Sequence, residues 1–278
     1  MRIWVCALAK NEHKYINEWV RHYIDMKVSH IVIYDNDDID ESKNIADFID
    51  KRYKKYVEII NIRGYHEKNL QARIYTDFYN RYNKQFDWCC FFDIDEFLIG
   101  VSNIQLWLND IKLFRAKQVR VKWRLFGDDE IIERDTTKPV LNAFKKEITY
   151  SLSRDLKKEA NLQNQAKCIV RGSLRCVVFY SVHYISDMTP RIPRQLFPSG
   201  KECYSKVALN NDDYTNETIY LNHYMTKSLI EFIEQKLNRT DAVFEDRQLK
   251  LNYYWRINKK TKEKLDYLKE KGIVENEL

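Results

Sequence analysis

Within its first hundred residues the chain alternates four short apolar runs with three segments of helical spacing. Residues 3–9 form an apolar run that stops at Lys10-Asn11-Glu12, and Ile16, Trp19, Val20, Tyr23 and Ile24 then recur on one helical face. Residues 30–34 are β-branched and apolar and stop at Asp35-Asn36-Asp37-Asp38, after which Ser42 is placed to cap a helix carrying Ile45, Phe48 and Ile49. Residues 57–62 read as a third strand and 71–82 as the helix after it. Residues 88–92 read as a fourth, buried strand that runs straight into Asp93-Ile94-Asp95-Glu96. Alternation at this density predicts an α/β fold with a mostly parallel sheet covered on both faces. Ligands of such sheets bind beyond the carboxyl ends of the strands. Three of the four runs end in polar clusters, so polar side chains collect along that edge, which is the expected site.

Beyond residue 100 the pattern loosens. Residues 118–126, 167–170, 177–184 and 219–224 read as strands, 128–164 as a polar loop, and from Ser228 onward the chain reads helical, with Ile230, Ile233 and Leu237 on one face. No internal repeat or low-complexity linker interrupts it, and only 6 Gly and 4 Pro are available to build one. A single continuous domain over 1–240 followed by a helical C-terminal extension over 241–278 is the expectation.

Composition narrows the function classes. With 44% hydrophobic and 32% charged residues the chain is globular rather than disordered. A net charge of +6, spread over 47 basic and 41 acidic residues, suits an anionic ligand or a loose peripheral contact with an acidic membrane surface, but is too diffuse to indicate nucleic acid. The six cysteines form no C-x-x-C pair, which sets aside zinc and redox motifs and predicts buried, reduced thiols in a reducing compartment. The first apolar run meets Lys10 at once, too short for a membrane span and without a cleavage pattern, so a cytoplasmic location is expected.

The chemistry concentrates in Asp93-x-Asp95. Carboxylates two apart face opposite ways in a regular strand, but at a strand end where the chain turns both can reach one hard cation. Beside a buried apolar run such charges are costly unless a cation compensates them. An oxygen-rich set of this kind favours Mg²⁺ or Mn²⁺, which would bridge the phosphates of a nucleotide diphosphate and neutralise a leaving group. The competing reading is an Asp-x-Asp turn bound to backbone amides. Likewise Asp35-Asn36-Asp37-Asp38 reads either as a site at a strand end or as a turn.

Further segments occur in a fixed order: Cys6-Ala-Leu-Ala-Lys-Asn-Glu12, Glu18-Trp19, His30-Ile-Val-Ile-Tyr-Asp-Asn36, Phe92-Asp-Ile-Asp-Glu-Phe97, and Leu221-Asn-His-Tyr-Met-Thr-Lys-Ser228 with Glu231-Phe232 and Lys236. Together they resemble glycosyltransferase family 92 and the family 2-like bacterial transferases, over about residues 3 to 240. The resemblance implies a GT-A-like (Rossmann-like) mixed sheet flanked by helices, with a nucleotide-binding half at 1–100 and an acceptor half at 101–240. It also implies a metal-dependent, inverting transfer of sugar from a nucleotide diphosphate sugar, a uridine diphosphate donor by default. The acceptor would be a hydroxyl of a glycan or lipid-linked acceptor, in bacterial lipopolysaccharide or capsule synthesis. Matching positions carry the implied roles: Asp93 and Asp95 on Mn²⁺ or Mg²⁺, His223 as third ligand, Asp35 on the base or ribose, Lys10, Asn11 and Glu12 lining the nucleotide pocket, and Lys227 on the diphosphate. His183 competes with His223, and Trp123 is placed on the acceptor side. An inverting transfer needs a carboxylate base. Asp128 and Asp129 are the candidates, although Asp128-Asp129-Glu130 stands where relatives carry small residues and also reads as a solvated acidic loop. Glu96 is placed in support of the metal shell or the strand turn. Two rivals are a sugar nucleotidyltransferase, which lacks its glycine-rich phosphate loop here, and a non-catalytic glycan-binding protein on a transferase fold.

Overall fold

The computed structural model describes residues 1–39, 41–148, 165–187, 194–204, 217–237 and 250–273. Its centre is one large mixed sheet ordered β3-β2-β1-β4-β7-β6-β11-β5, with β10 paired to β6. The strands are β1 (Ile3–Ala9), β2 (His30–Asp35), β3 (Val57–Asn61), β4 (Trp88–Phe91), β5 (Glu96–Ile99), β6 (Gln118–Leu125), β7 (Ala166–Arg171), β8 (Val177–Ser181), β9 (Tyr184–Asp187), β10 (Gln195–Leu196) and β11 (Tyr220–His223). The first four in this sheet run parallel, as the alternation of strand and helix predicts. β7 then enters antiparallel between β4 and β6, and β11 runs parallel to β6 and antiparallel to β5. The fold class is the expected α/β mixed sheet with flanking helices.

Alternation along the strands divides the core between the two faces of the sheet. Val5, Ala7, Ile31, Ile33, Trp88 and Cys90 pack with Trp19 and Tyr23 of helix α1 (Ile16–Asp25). Cys6, Val32, Cys89 and Phe91 pack with Tyr75 and Phe78 of the helix Leu70–Tyr82. α1 stops where Lys27 turns left-handed (φ 72°), letting the Val28 amide return to the Tyr23 carbonyl.

Several sequence expectations are corrected. Asn44, not Ser42, caps the short 3₁₀ turn Ile45–Phe48. Residues 177–184 are not one strand but the start of the β8–β9 hairpin, whose turn carries none of the usual glycine or Asn-Gly signals. β5 passed unnoticed because its four residues continue the Asp-x-Asp motif. In the helix Leu229–Gln235 the buried apolar face is Leu229 and Phe232, rotated from the predicted Ile230 and Ile233. Of the predicted polar loop, residues 149–164 lie outside the described residues. Cys6, Cys89, Cys90, Cys168 and Cys203 are buried thiols and Cys176 is exposed. No helix among the described residues is long and apolar enough to cross a membrane.

In the C-terminal segment, helices Leu251–Trp255 and Lys262–Glu270 pack Leu251, Tyr254 and Leu268 against Leu229 and Phe232. A buried polar knot fastens them to the turn after β6. Asp128 accepts hydrogen bonds from the Tyr254 hydroxyl and the Lys264 ammonium, and its amide donates to Asn258 Oδ1 at 2.8 Å. The Lys264 side chain is 0% exposed and that of Asp128 4%, so removing one partner strands a buried charge. Lys264→Met is therefore expected to lower unfolding stability by about 3–5 kcal/mol in urea titrations; a loss below about 1 kcal/mol would show that this ion pair does not anchor the segment.

Candidate functional site

The site edge is built by loops that bind one another before any ligand arrives. After β1, Asn11 adopts a left-handed backbone (φ 59°), and its amide donates to Asp37 Oδ1 at 2.6 Å. Lys10 reaches Asp38 at 2.7 Å. After β2, Asp35 is buried and its Oδ2 accepts from Arg63 Nε at 2.8 Å, while Arg63 also holds the carbonyls of Glu41 and Lys43. Asp37 lies 3.0 Å from His13 Nε2; burial raises its carboxyl, with Asp35 adding and the Asn11 amide, His13 and Arg63 opposing. Lys10, Asn11 and Asp35 thus sit together on one rim. Asp37, from the cluster that ends the second apolar run, completes that rim together with Arg63 and His13, which sequence reasoning passed over.

Asp93 and Asp95 leave the end of β4 on a turn closed by Glu96, whose Oε2 accepts the Asp93 amide at 2.9 Å. Asp93 Oδ1 accepts from Gln71 at 2.6 Å and Oδ2 from Lys167 at 2.8 Å. Asp95 Oδ2 accepts from Lys236 at 2.8 Å, and its Oδ1 lies 3.4 Å from His223 Nε2. Burial works to raise both aspartates. Lys167 overrides it at Asp93, and Lys236 with His223 overrides it further at Asp95, so both stay ionised below the usual carboxylate range. Glu96 goes the other way: fully buried, with Lys167 at 3.8 Å, it is held well above its ordinary value. Three neighbouring carboxyl groups are thus split into two ionised ones and one that favours its proton.

His223 is on β11 and packs against Trp123 of β6, ring centroids 4.2 Å apart. Trp123 is only 6% exposed, so it is a wall behind the imidazole rather than an open stacking surface. His183 instead turns its Nδ1 toward the Ala166 carbonyl at 3.1 Å. Lys227 has a left-handed backbone (φ 56°), and its ammonium lies 3.7 Å above the Tyr15 ring and 3.6 Å from Glu12 Oε2. Lys227 Nζ and Glu12 Oε2 are both buried without a hydrogen-bond partner among the described residues. The capping box of Ser228 and Glu231 fixes the helix start beside them, and Glu231 is held by Arg134 at 2.7 Å and the Tyr15 hydroxyl at 2.8 Å.

The sequence matches the profile of Glycosyltransferase family 92 over residues 3–273. The chain belongs to this family. No curated protein matches it. Among the solved structures similar to it are S. aureus TarS 1–349, at 15% identity and TM-score 0.33, over 62% of this chain and 47% of that one, and S. aureus TarS, at 12% identity and TM-score 0.33, over 62% and 28%. The chain spans less than half the length of either, and a likeness at that score says nothing about substrate.

The donor set is chemically apt for a hard divalent cation: two carboxylates kept ionised, plus an imidazole whose Nδ1 is buried without a hydrogen-bond partner among the described residues. Asp95 and His223 are the pair in contact. Among the described residues no three His, Cys, Asp or Glu side chains are grouped to hold a metal, and the positive charge nearest the aspartates is that of Lys167 and Lys236. The candidate bases are placed otherwise than expected. Asp128 is tied to the Tyr254 and Lys264 side chains of the C-terminal helices, and Asp129 accepts the Lys145 amide at 2.7 Å and the Lys146 amide at 3.1 Å, so both carboxylates hold the scaffold together. A cavity of about 480 Å³ beside α1, lined by Glu18, Arg21, His22 and Asn142 among others, shares no residue with the aspartate cluster.

Burial, with Lys167 and Arg120 adding, pushes the His183 imidazole down to about 3 from 6.5. Between those values the unfolded chain takes up a proton that the folded one refuses, so this residue weakens the fold as pH falls below 6.5. The stability advantage of wild type over His183→Gln is expected to shrink between about pH 7.5 and about pH 5 in urea titrations. An advantage that does not change with pH would mean that His183 is not held neutral by burial.

Proposed function

We propose that this family 92 glycosyltransferase is a metal-dependent, inverting enzyme that moves a sugar from a nucleotide diphosphate sugar to a hydroxyl of a glycan or lipid-linked acceptor. The observation that carries it is that Asp93 and Asp95, both held ionised, lie at the carboxyl edge of the sheet with His223 against Asp95 and the buried Lys227 ammonium on the same edge. Inversion, the uridine diphosphate donor and a place in bacterial surface polysaccharide assembly rest on the family resemblance.

In this reading the joined loops after β1 and β2, with Lys10, Asn11, Glu12 and Asp35, receive the nucleoside. Lys227 is already desolvated and, among the described residues, makes no hydrogen bond, with Glu12 at 3.6 Å and the Tyr15 ring beside its charge, so a phosphate oxygen would give it the hydrogen bonds it lacks. Asp93, Asp95 and His223 would hold Mn²⁺ or Mg²⁺, which supplies positive charge against the departing diphosphate. Lys167 and Lys236 keep the two carboxylates ionised and aimed. Glu96, closing the turn onto the Asp93 amide, fixes the angle between them. The acceptor oxygen forms the new bond to the anomeric carbon as the bond to the diphosphate breaks, and the hydroxyl proton goes to a base. Asp128 and Asp129 are not retained as that base, because both carboxylates serve the scaffold.

With Mn²⁺ present, a nucleoside diphosphate is expected to raise the melting temperature of wild type but not of Asp95→Asn, and sugar transfer should fall by about 10²-fold or more in that variant. Lys227→Met should weaken donor binding by about 10-fold or more. The product separates the rival chemistry: free nucleoside diphosphate marks sugar transfer, whereas pyrophosphate would mark nucleotidyl transfer. Equal stabilisation of wild type and Asp95→Asn would remove Asp95 from the donor site.

A further inference from the structure

The connection between β5 and β6 exposes three large apolar side chains within nine residues: Leu106 at 72%, Ile111 at 85% and Phe114 at 72%. Single exposed hydrophobics are ordinary, but a group of this size marks a contact surface. Their exposure follows from how the segment is fastened. Ile104, Trp107, Leu108 and Leu113 are buried and take the inner side. Arg171, lying over the Trp88 ring at 4.3 Å, donates to the carbonyls of Leu113, Phe114 and Ala116 and so fixes the turn that carries Phe114 outward. The segment is a held display.

Its rim is basic. Lys112, Arg115 and Lys117 are exposed on the same segment. Arg194, whose carbonyl accepts the Lys117 amide at 2.8 Å, and Lys201, beside Gly200 where that glycine closes on the Lys112 side chain, add two more exposed cations. Among the described residues, the acidic side chains on this face are Asp110, 3.5 Å from Lys112, Glu202, 2.5 Å from Arg194, and Glu217, whose Oε2 accepts the Ser199 amide at 2.9 Å. Tyr204 joins the rim at 79% exposure, the type of ring that favours a membrane interface.

We propose that this face docks the protein on an anionic lipid bilayer, with Ile111 and Phe114 entering the interface and the basic rim engaging lipid phosphates. Apolar side chains ringed by cations are the pattern of interfacial binding, in which buried apolar area and attraction to acidic lipid act together. A symmetric contact between two copies is disfavoured, because it would set the positive rim against itself. The face also lies at the opposite end of the sheet from the aspartate cluster. β6 leaves this segment at Gln118 and reaches the His223 level only at Leu125, roughly 25 Å on for eight extended residues. Docked this way, the transferase directs its candidate site away from the bilayer, toward the outer end of an acceptor chain rather than its membrane-proximal sugar. The docking itself is independent of the donor chemistry proposed above.

The 278-residue chain is sedimented with vesicles of phosphatidylcholine alone and of phosphatidylcholine with phosphatidylglycerol. Wild type is expected to pellet with the anionic vesicles, to be released by high salt, and to stay in solution with the neutral ones. The double variant I111S/F114S should lose about tenfold or more in vesicle affinity while keeping the wild-type melting temperature, since both side chains are exposed. R115E/K117E should lose the preference for anionic vesicles. Equal pelleting of wild type and I111S/F114S, or no pelleting of wild type, would overturn the proposal. So would a wild-type dimer in analytical ultracentrifugation that I111S/F114S converts to monomer, because the face would then belong to a second copy.

Discussion

Two carboxylates at the mouth of a buried strand set the terms for the rest of this structure. Left alone, Asp93 and Asp95 would each meet a desolvation penalty of several kcal/mol and would take up protons rather than stay charged. Lys167 of β7 and Lys236, just past the helix Leu229–Gln235, prevent that at 2.8 Å each. These partners are 74 and 141 residues away in sequence, so the charge state of the site depends on distant parts of the chain folding against it. The antiparallel entry of β7 between β4 and β6 brings a fully buried lysine alongside a strand that could not have supplied one. Glu96, with no lysine closer than 3.8 Å, shows what the same burial does to a carboxyl group without close compensation: it is driven to hold its proton.

The parallel half of the sheet and its polar edge were legible because their signals are local. The apolar runs of β1, β2, β3 and β4 each span a few residues, and each change of period falls at a loop. Asp93, Asp95 and His223 could be named from a motif, and the two that make contact in the structure, Asp95 and His223, were both among them. Lys167 could not be named in this way. It sits in Ala-Lys-Cys-Ile-Val, where a lysine reads as a break in a strand pattern, and only the register of β7 against β4 shows what it meets. Arg63 and Gln71 were hidden for the same reason, since their partners Asp35 and Asp93 lie 28 and 22 residues away. Asp128 shows the opposite case, a residue whose partners the sequence did not reveal. An acidic loop beyond a strand end looks like a catalytic carboxylate until Tyr254 and Lys264 arrive from the C-terminal helices to hold Asp128.

That last contact ties remote parts of the fold to the site. Asp128 follows β6, whose Leu125 pairs with His223 on β11, and the strand ends are held in step by the Phe126 amide donating to the His223 carbonyl at 3.1 Å. On the far side, Arg134 and Tyr15 converge on Glu231, which caps the helix that presents Lys227 at its start and Lys236 at its end. Buried ion pairs of this kind contribute little net stability over apolar packing of equal volume, but they tolerate very little misplacement, because a partner moved away leaves a bare charge behind. Asp128 with Lys264, and Arg134 with Glu231, therefore act as registration points. They fix the height of β11 and the pitch of the helix after it, and through these the distances from His223 and Lys236 to Asp95. A site whose charges come from four separated segments needs such fixed points more than it needs additional stability, and two of the groups that make them, Glu231 and Lys264, lie far along the chain from the aspartates.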